Sequence, residues 1–251
     1  MQAILKYIQE ESFESKHRLA EYFSKEVEEF ATLISSSIHI LQNFQTKNPR
    51  YNPNDPQHIA YGLMTKGINT LMAGHELSLN GYFWEPDILL RNALEGFSVA
   101  WDIIHNEDRF VLWKGKKFDS AKSISKVKEV STVISKLWGH LSNMYVHSCP
   151  LNASPSCMEA AGNLEFQKFG FIPKGKENTR KGDIYTSIFV AYICLQLTEL
   201  CFYQYANKLE TIELLSDSNH AVNIVSERHR KFVNKMTVHF KEIAEGKEKC
   251  C

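Results

Sequence analysis

Residues 85–104 read Glu85-Pro86-Asp87-Ile88-Leu89-Leu90-Arg91-Asn92-Ala93-Leu94-Glu95-Gly96-Phe97-Ser98-Val99-Ala100-Trp101-Asp102-Ile103-Ile104. A proline costs nothing in the first turn of a helix, where its missing N–H would have no partner anyway, so Glu85-Pro86-Asp87 opens a helix. That helix runs to about His105. Apolar residues cover most of its circumference, which predicts a central, buried helix. Four polar residues interrupt them: Arg91, Glu95, Ser98 and Asp102, at offsets of 0, 4, 7 and 11. At about 100° per residue all four fall within roughly 60° of arc, so they make one narrow stripe. Arg91 and Glu95 are spaced to pair at i,i+4.

The flanking sequence is helical as well. From Lys16 to Phe44, apolar residues recur at Leu19, Phe23, Val27, Phe30, Leu33, Ile34, Ile38 and Leu41, the period of one long amphipathic helix. Met1 to Phe13 adds a short leading helix. Prolines 49, 53 and 56 mark a loop, and Asp55-Pro56 at its end reads as a helix cap. The next helix spans about His58 to Asn80 and stops at Asn80-Gly81. Asp108–Asp119 reads as a basic linker, and Ser120–Val146 as a further helix. Residues 148–182, with Pro150, Pro155 and Pro173, read as irregular, with a short strand or hairpin near 164–171. Helices from Asp183 to about Leu209 and from about Asn219 to Glu245 complete the chain. The expected fold is all-α: one domain over residues 1–251, a bundle of about six to seven helices. Its core covers about 16–147 and 183–245, with one long insertion at 148–182.

Composition agrees. Gly at 12 and Pro at 7 are too few for a protein that turns at every hairpin. Lys plus Arg equals Asp plus Glu at 29 each, which argues against a strongly basic nucleic-acid binder but leaves room for a local basic patch. None of the six cysteines forms a Cys-x-x-Cys, and Cys194 and Cys201 sit in an apolar run that predicts buried free thiols. A cytoplasmic location and no membrane association are expected, because Ile184–Tyr205, the most apolar stretch, carries Gln196, Thr198 and Glu199. The basic cluster Arg228-His229-Arg230-Lys231 reads as a solvated helix face.

The stripe of residues 91–102 has two echoes. Lys136, His140, Asn143 and His147 repeat the offsets of 0, 4, 7 and 11, as do Tyr192, Gln196, Glu199 and Tyr203. Stripes that converge would build a polar site between helices, where bundles place their pockets. Stripes that face water would be ordinary amphipathic surfaces. His140 and His147 are the side chains suited to proton transfer near neutral pH. Seven residues separate them by about 10 Å along a helix, too far to share one metal ion, and no metal or other cofactor is expected.

Two segments resemble an uncharacterised bacterial helical family. Leu77–Glu95 is similar to its Gly-Tyr, Leu-Leu-Arg, Leu-Glu signature through Gly81-Tyr82, Leu89-Leu90-Arg91 and Leu94-Glu95. Leu141–Ser148 is similar to its Leu-Ser, Val-His signature through Leu141-Ser142 and Val146-His147. More distantly, the arrangement resembles the HEPN superfamily, helical bundles that are often dimeric and often metal-independent ribonucleases of bacterial defence and toxin–antitoxin systems. Their motif is an Arg followed four to six residues later by a His, frequently as Arg-Asn-x-x-x-His. Here Asn143 and His147 match, and Ser142 stands at the Arg position. A serine cannot make charged, bidentate phosphate contacts. The resemblance therefore implies either a non-cleaving relative or a guanidinium supplied from another helix by Arg91.

The resulting expectation is a bundle that binds RNA or a nucleotide and forms a homodimer. If it cleaves RNA, His147, assisted by His140, transfers the proton, Arg91 or Lys136 holds the phosphate, and Glu95 orients Arg91 or His147. Ser142, Asn143, Tyr192, Glu199 and Tyr203 complete the candidate binding set. The linker from Arg109 to Lys117, with Phe110 and Trp113, would guide a backbone and stack a base. The competing expectation is a non-catalytic module for a small ligand or partner protein.

Overall fold

The structure, a computed structural model, describes residues 2–82, 85–127, 132–142, 175 and 177–205. These residues form an all-α bundle of eight helices, and no strand occurs among them. The helices are α1 (Gln2–Tyr22), α2 (Ser24–Lys47), α3 (Pro56–Leu79), α4 (Glu85–His105), α5 (Glu107–Lys114), α6 (Ser120–Lys126), α7 (Thr132–Leu141) and α8 (Lys181–Cys201). Short 3-10 turns at Glu177–Arg180 and Tyr203–Tyr205 bracket α8. The expected hairpin at 164–171 and helix at 219–245 lie outside the described residues.

The helix signals act as local chemistry requires. The Asp55 carboxylate accepts a hydrogen bond from the Gln57 amide at 2.8 Å, with Pro56 the first residue of α3. At the other end Gly81 takes φ 88°, and Tyr82 N–H donates to the Leu77 carbonyl at 3.0 Å. An L side chain resists that left-handed backbone, which is why glycine stands there.

The centre of the bundle is α4, packed on α3, α8, α6, α5 and α7. Its Leu90, Ala93, Leu94, Phe97, Ala100 and Ile103 are all buried. Alongside runs α8, whose residues from Ser187 to Thr198 are buried without a break. Helix α8 is long and apolar enough to cross a membrane by composition, and here its apolar surface is mostly covered by α2, α3 and α4.

Three helix expectations need correction. The single helix over Lys16–Phe44 is divided by a bend at Phe23, with φ −104° and ψ 33°. The flanking helical bonds survive, Phe23 N–H to Leu19 O at 2.8 Å and Val27 N–H to Phe23 O at 2.9 Å. The apolar period therefore runs straight through the bend, which carries the Phe23 ring into the core. The helix expected over Ser120–Val146 is described as two pieces, α6 and α7. The intervening sequence, from Val127 to Val133, carries three valines, a serine and a threonine, residues that weaken helix propensity. The basic linker is largely helix α5, with Phe110 turned into the core.

Candidate functional site

Arg91 lies on the partly exposed side of α4, one turn before Glu95. Its Nη1 stands 3.6 Å from Glu95 Oε2 and 3.4 Å from Asn92 Oδ1. Both contacts are long, and a partly exposed i,i+4 pair contributes roughly 0.5 kcal/mol or less. The stronger contacts come from the segment of α7. Arg91 Nε donates to Ser142 Oγ at 2.8 Å, and the guanidinium carbon lies 5.0 Å from the centroid of the Trp138 ring. The hydroxyl sets the plane of the guanidinium, and the indole face supports it by cation–π attraction.

This arginine borders a groove of about 540 Å³ between α3 and α4, within the range of small-ligand sites. Helix α3 contributes Leu63, Lys66 and Thr70, and α4 contributes Arg91, Asn92, Glu95 and Val99. The floor is kept low by Gly67 and Gly96. A Cβ on Gly67 would stand 2.6 Å from the Phe97 ring, so the two helices approach too closely there for any side chain. Two cations, one carboxylate and an amide therefore surround an apolar floor.

The expected stripes converge only in part. Those of α4 and α7 meet where Arg91 reaches Ser142. Lys136 is exposed on α7, and no α7 residue lines the groove. The His140 side chain, Asn143 and His147 lie outside the described residues. The stripe on α8 does not reach the groove, whose lining contains no α8 residue. Tyr192 and Gln196 are buried in the core, Glu199 is half-buried, and α8 ends at Cys201 before Tyr203 continues the spacing. Tyr203 sits instead on the following 3-10 turn, exposed to solvent. Tyr192, Glu199 and Tyr203 are thus removed from the groove.

The far end of the α4 stripe is structural. Asp102 is fully buried and accepts hydrogen bonds from Arg109 Nε at 2.7 Å, Ser123 Oγ at 2.7 Å and Asn106 Nδ2 at 2.8 Å. Ser98 donates back to the Leu94 carbonyl at 2.8 Å. Arg109 also donates to the Asp119 carbonyl at 2.8 Å and lies over the Phe118 ring at 4.2 Å. Its charge is spent inside the fold. Phe110 is buried, and Lys114 bonds Asn54. The expected backbone guide at Arg109–Lys117 is therefore mainly a pin joining α4, α5 and α6.

A second polar cluster escaped the sequence reading. Arg180 is 1% exposed, yet its Nη1 donates to Asp183 Oδ2 at 2.7 Å and its Nη2 to the Gly81 carbonyl at 2.6 Å. Asp87, 3% exposed in the first turn of α4, lies in the field of both. Burial pushes its carboxyl up to about 8; Asp183 adds to the rise and Arg180 opposes it. Burial pushes Asp183 upward too, against the pull of Arg180. Nearby, His75 Nδ1 is 2.7 Å from Ser187 Oγ, and the ring stacks on Phe30 at 3.8 Å. Ser187 Oγ is also 2.7 Å from the Ile184 carbonyl, to which it donates its one proton, so His75 donates through Nδ1. That direction of donation makes the pair a structural contact and not a nucleophile with its base. Burial pushes His75 down to about 4, which keeps the ring neutral. The available signal was Asp87 four residues before Arg91 in an apolar helix, but its partners lie about a hundred residues away.

Cys194 and Cys201 are buried free thiols, as their apolar run predicts. Among the described residues no group of three or more His, Cys, Asp or Glu is placed to hold a metal ion. No family model matches the chain, and neither a curated protein nor a solved structure matches it.

Proposed function

We propose that this chain is a HEPN-like bundle that binds RNA through the phosphate-facing groove between α3 and α4, with metal-independent cleavage as its chemistry. The observation that carries the reading is the hydrogen bond from Arg91 Nε to Ser142 Oγ. The motif position that lacks an arginine is touched by an arginine from the neighbouring helix. The guanidinium is already oriented by Ser142 and Trp138, so little conformational freedom is lost when a phosphate arrives. Lys66 supplies a second cation on the facing helix. In this reading His147, five residues beyond Ser142, transfers the proton with His140 assisting, and Glu95 holds Arg91 until the phosphate replaces it. A homodimer in the cytoplasm is the assembly that goes with it.

A second reading is favoured by Glu95. A carboxylate 3.6 Å from the guanidinium repels a phosphate and suits a zwitterionic small ligand or a partner side-chain pair. The two readings part in one experiment. The purified full chain is given tRNA, total RNA and a structured RNA in the presence of chelator, beside Arg91→Ala and His147→Ala. Cleavage that survives chelator and is lost in His147→Ala supports the nuclease reading. Binding of labelled RNA should weaken about 10- to 100-fold in Arg91→Ala, because a charged hydrogen bond is worth about 1.5–3 kcal/mol. Absence of RNA binding by the folded wild type overturns the proposal in favour of the second reading.

A further inference from the structure

We infer that Arg180, Asp87 and Asp183 form a proton-operated latch on the first turns of α4: one proton in the cluster keeps it closed, and loss of that proton releases the turn between α3 and α4.

The mechanical part is the guanidinium. Arg180, buried just before α8, bonds Asp183 at the start of α8 and the carbonyl of Gly81 in the α3–α4 turn. Gly81 holds that turn at φ 88°. One side chain thus joins the beginning of α8 to the segment that leads into α4.

The switch follows from counting charge. Two carboxylates stand near one guanidinium in a buried place. If both ionise, one negative charge is left uncompensated, which burial penalises heavily. One proton balances the cluster. Asp183 is hydrogen-bonded directly to Arg180 and keeps 24% of its side chain exposed, so it stays ionised and the proton rests on Asp87. No hydrogen bond joins Asp87 to a described group that would favour its ionised form. The other charged or titratable groups around this end are His75 and Glu76 from α3, Glu85 and Arg91 from α4 itself, and Lys181 from α8. His75 stays neutral throughout the relevant range. Asp87 sits at about 8, so the cluster changes charge between pH 7 and 9. Ionised Asp87 then competes for Arg180, and the neutral Gly81 carbonyl is the acceptor given up. Arg91 follows Asp87 by four residues on α4, so the release loosens the turn that carries it.

The test uses amide hydrogen exchange of the intact chain, whose outcome does not depend on any ligand. Exchange in residues 81–91 is followed at pH 7 and pH 9 and corrected for the intrinsic rate. At pH 9 about one molecule in ten keeps a proton that titrates near pH 8, so protection there should fall about tenfold. Protection in the middle of α8 should not change. Asp87→Asn, neutral at every pH, should hold protection in 81–91 constant. Constant protection in wild type, or an equal fall in wild type and Asp87→Asn, overturns the inference. Should the variant not fold, carbon-13 titration of the wild-type aspartate carboxyls decides it. One resonance titrating near pH 8 supports the latch, and titration of every aspartate below about pH 6 overturns it.

Discussion

Two arginines stand beside carboxylates of α4, and their geometry assigns them different work. Arg109 meets Asp102 at 2.7 Å, with Asp102 wholly buried. Arg91 meets Glu95 at 3.6 Å, with both partly exposed. Asp102→Ala leaves Arg109, Ser123 and Asn106 without their shared acceptor. It should lower the unfolding free energy by about 3 kcal/mol or more, measured by urea denaturation. Arg91→Ala gives up a weak pair and a cation–π contact, so its cost to stability should stay below about 1.5 kcal/mol in the same assay. Equal losses in the two variants would show that Arg91, too, is spent on the fold. The sequence placed all four residues on one stripe, because angle around the helix is a local property. It could not tell the two ends apart, because the partners of each end belong to other helices.

Helix α3 separates local propensity from packing through two of its glycines. Gly62 is exposed, and a Cβ there would meet nothing within 4 Å. Gly62→Ala should raise stability by about 0.5–1 kcal/mol, by removing unfolded-state freedom that glycine alone has. Gly67 faces the Phe97 ring, where a Cβ would stand at 2.6 Å. Gly67→Ala should destabilise by about 1–3 kcal/mol as α3 and α4 are pushed apart. Thermal melting of the two single variants checks both signs. The pair also shows why element boundaries were mostly legible and contacts were not. Asp55-Pro56 and Asn80-Gly81 bound α3 by chemistry within a few residues. The bend at Phe23 has no proline or glycine to announce it, and it keeps its helical bonds. Helix α5 was masked by its lysines, since only the tertiary contact to Asp102 shows that Arg109 points inward.

For the whole molecule, two buried groups act on stability in opposite directions. His75 is held near 4 in the fold and has 6.5 as its ordinary value. The unfolded chain therefore binds more protons between those values, and stability rises with pH across that window. Asp87 is held near 8 against 3.8, so the folded chain binds the extra proton. Its contribution is complete below about pH 4 and is lost as pH rises to about 8. The two nearly cancel up to about pH 6.5. Above that only the aspartate slope remains, and stability should fall by about 2 kcal/mol between pH 6.5 and 8, at about 1.4 kcal/mol per unit. Melting temperature measured against pH should show that alkaline fall in wild type and lose it in Asp87→Asn; a fall of equal size in both would place its cause elsewhere. The helical class, the central place of residues 85–104 and the α3 boundaries followed from sequence alone, because periodicity, caps and low glycine and proline content act within a few residues. Tertiary structure alone decided that Arg91 meets Ser142, that Asp102 belongs to the core, that Tyr192 and Glu199 stand away from the groove, and that Asp87 shares a buried place with Arg180. Those pairings join residues up to about a hundred positions apart, and no local pattern encodes which buried charge will find which partner once the helices pack.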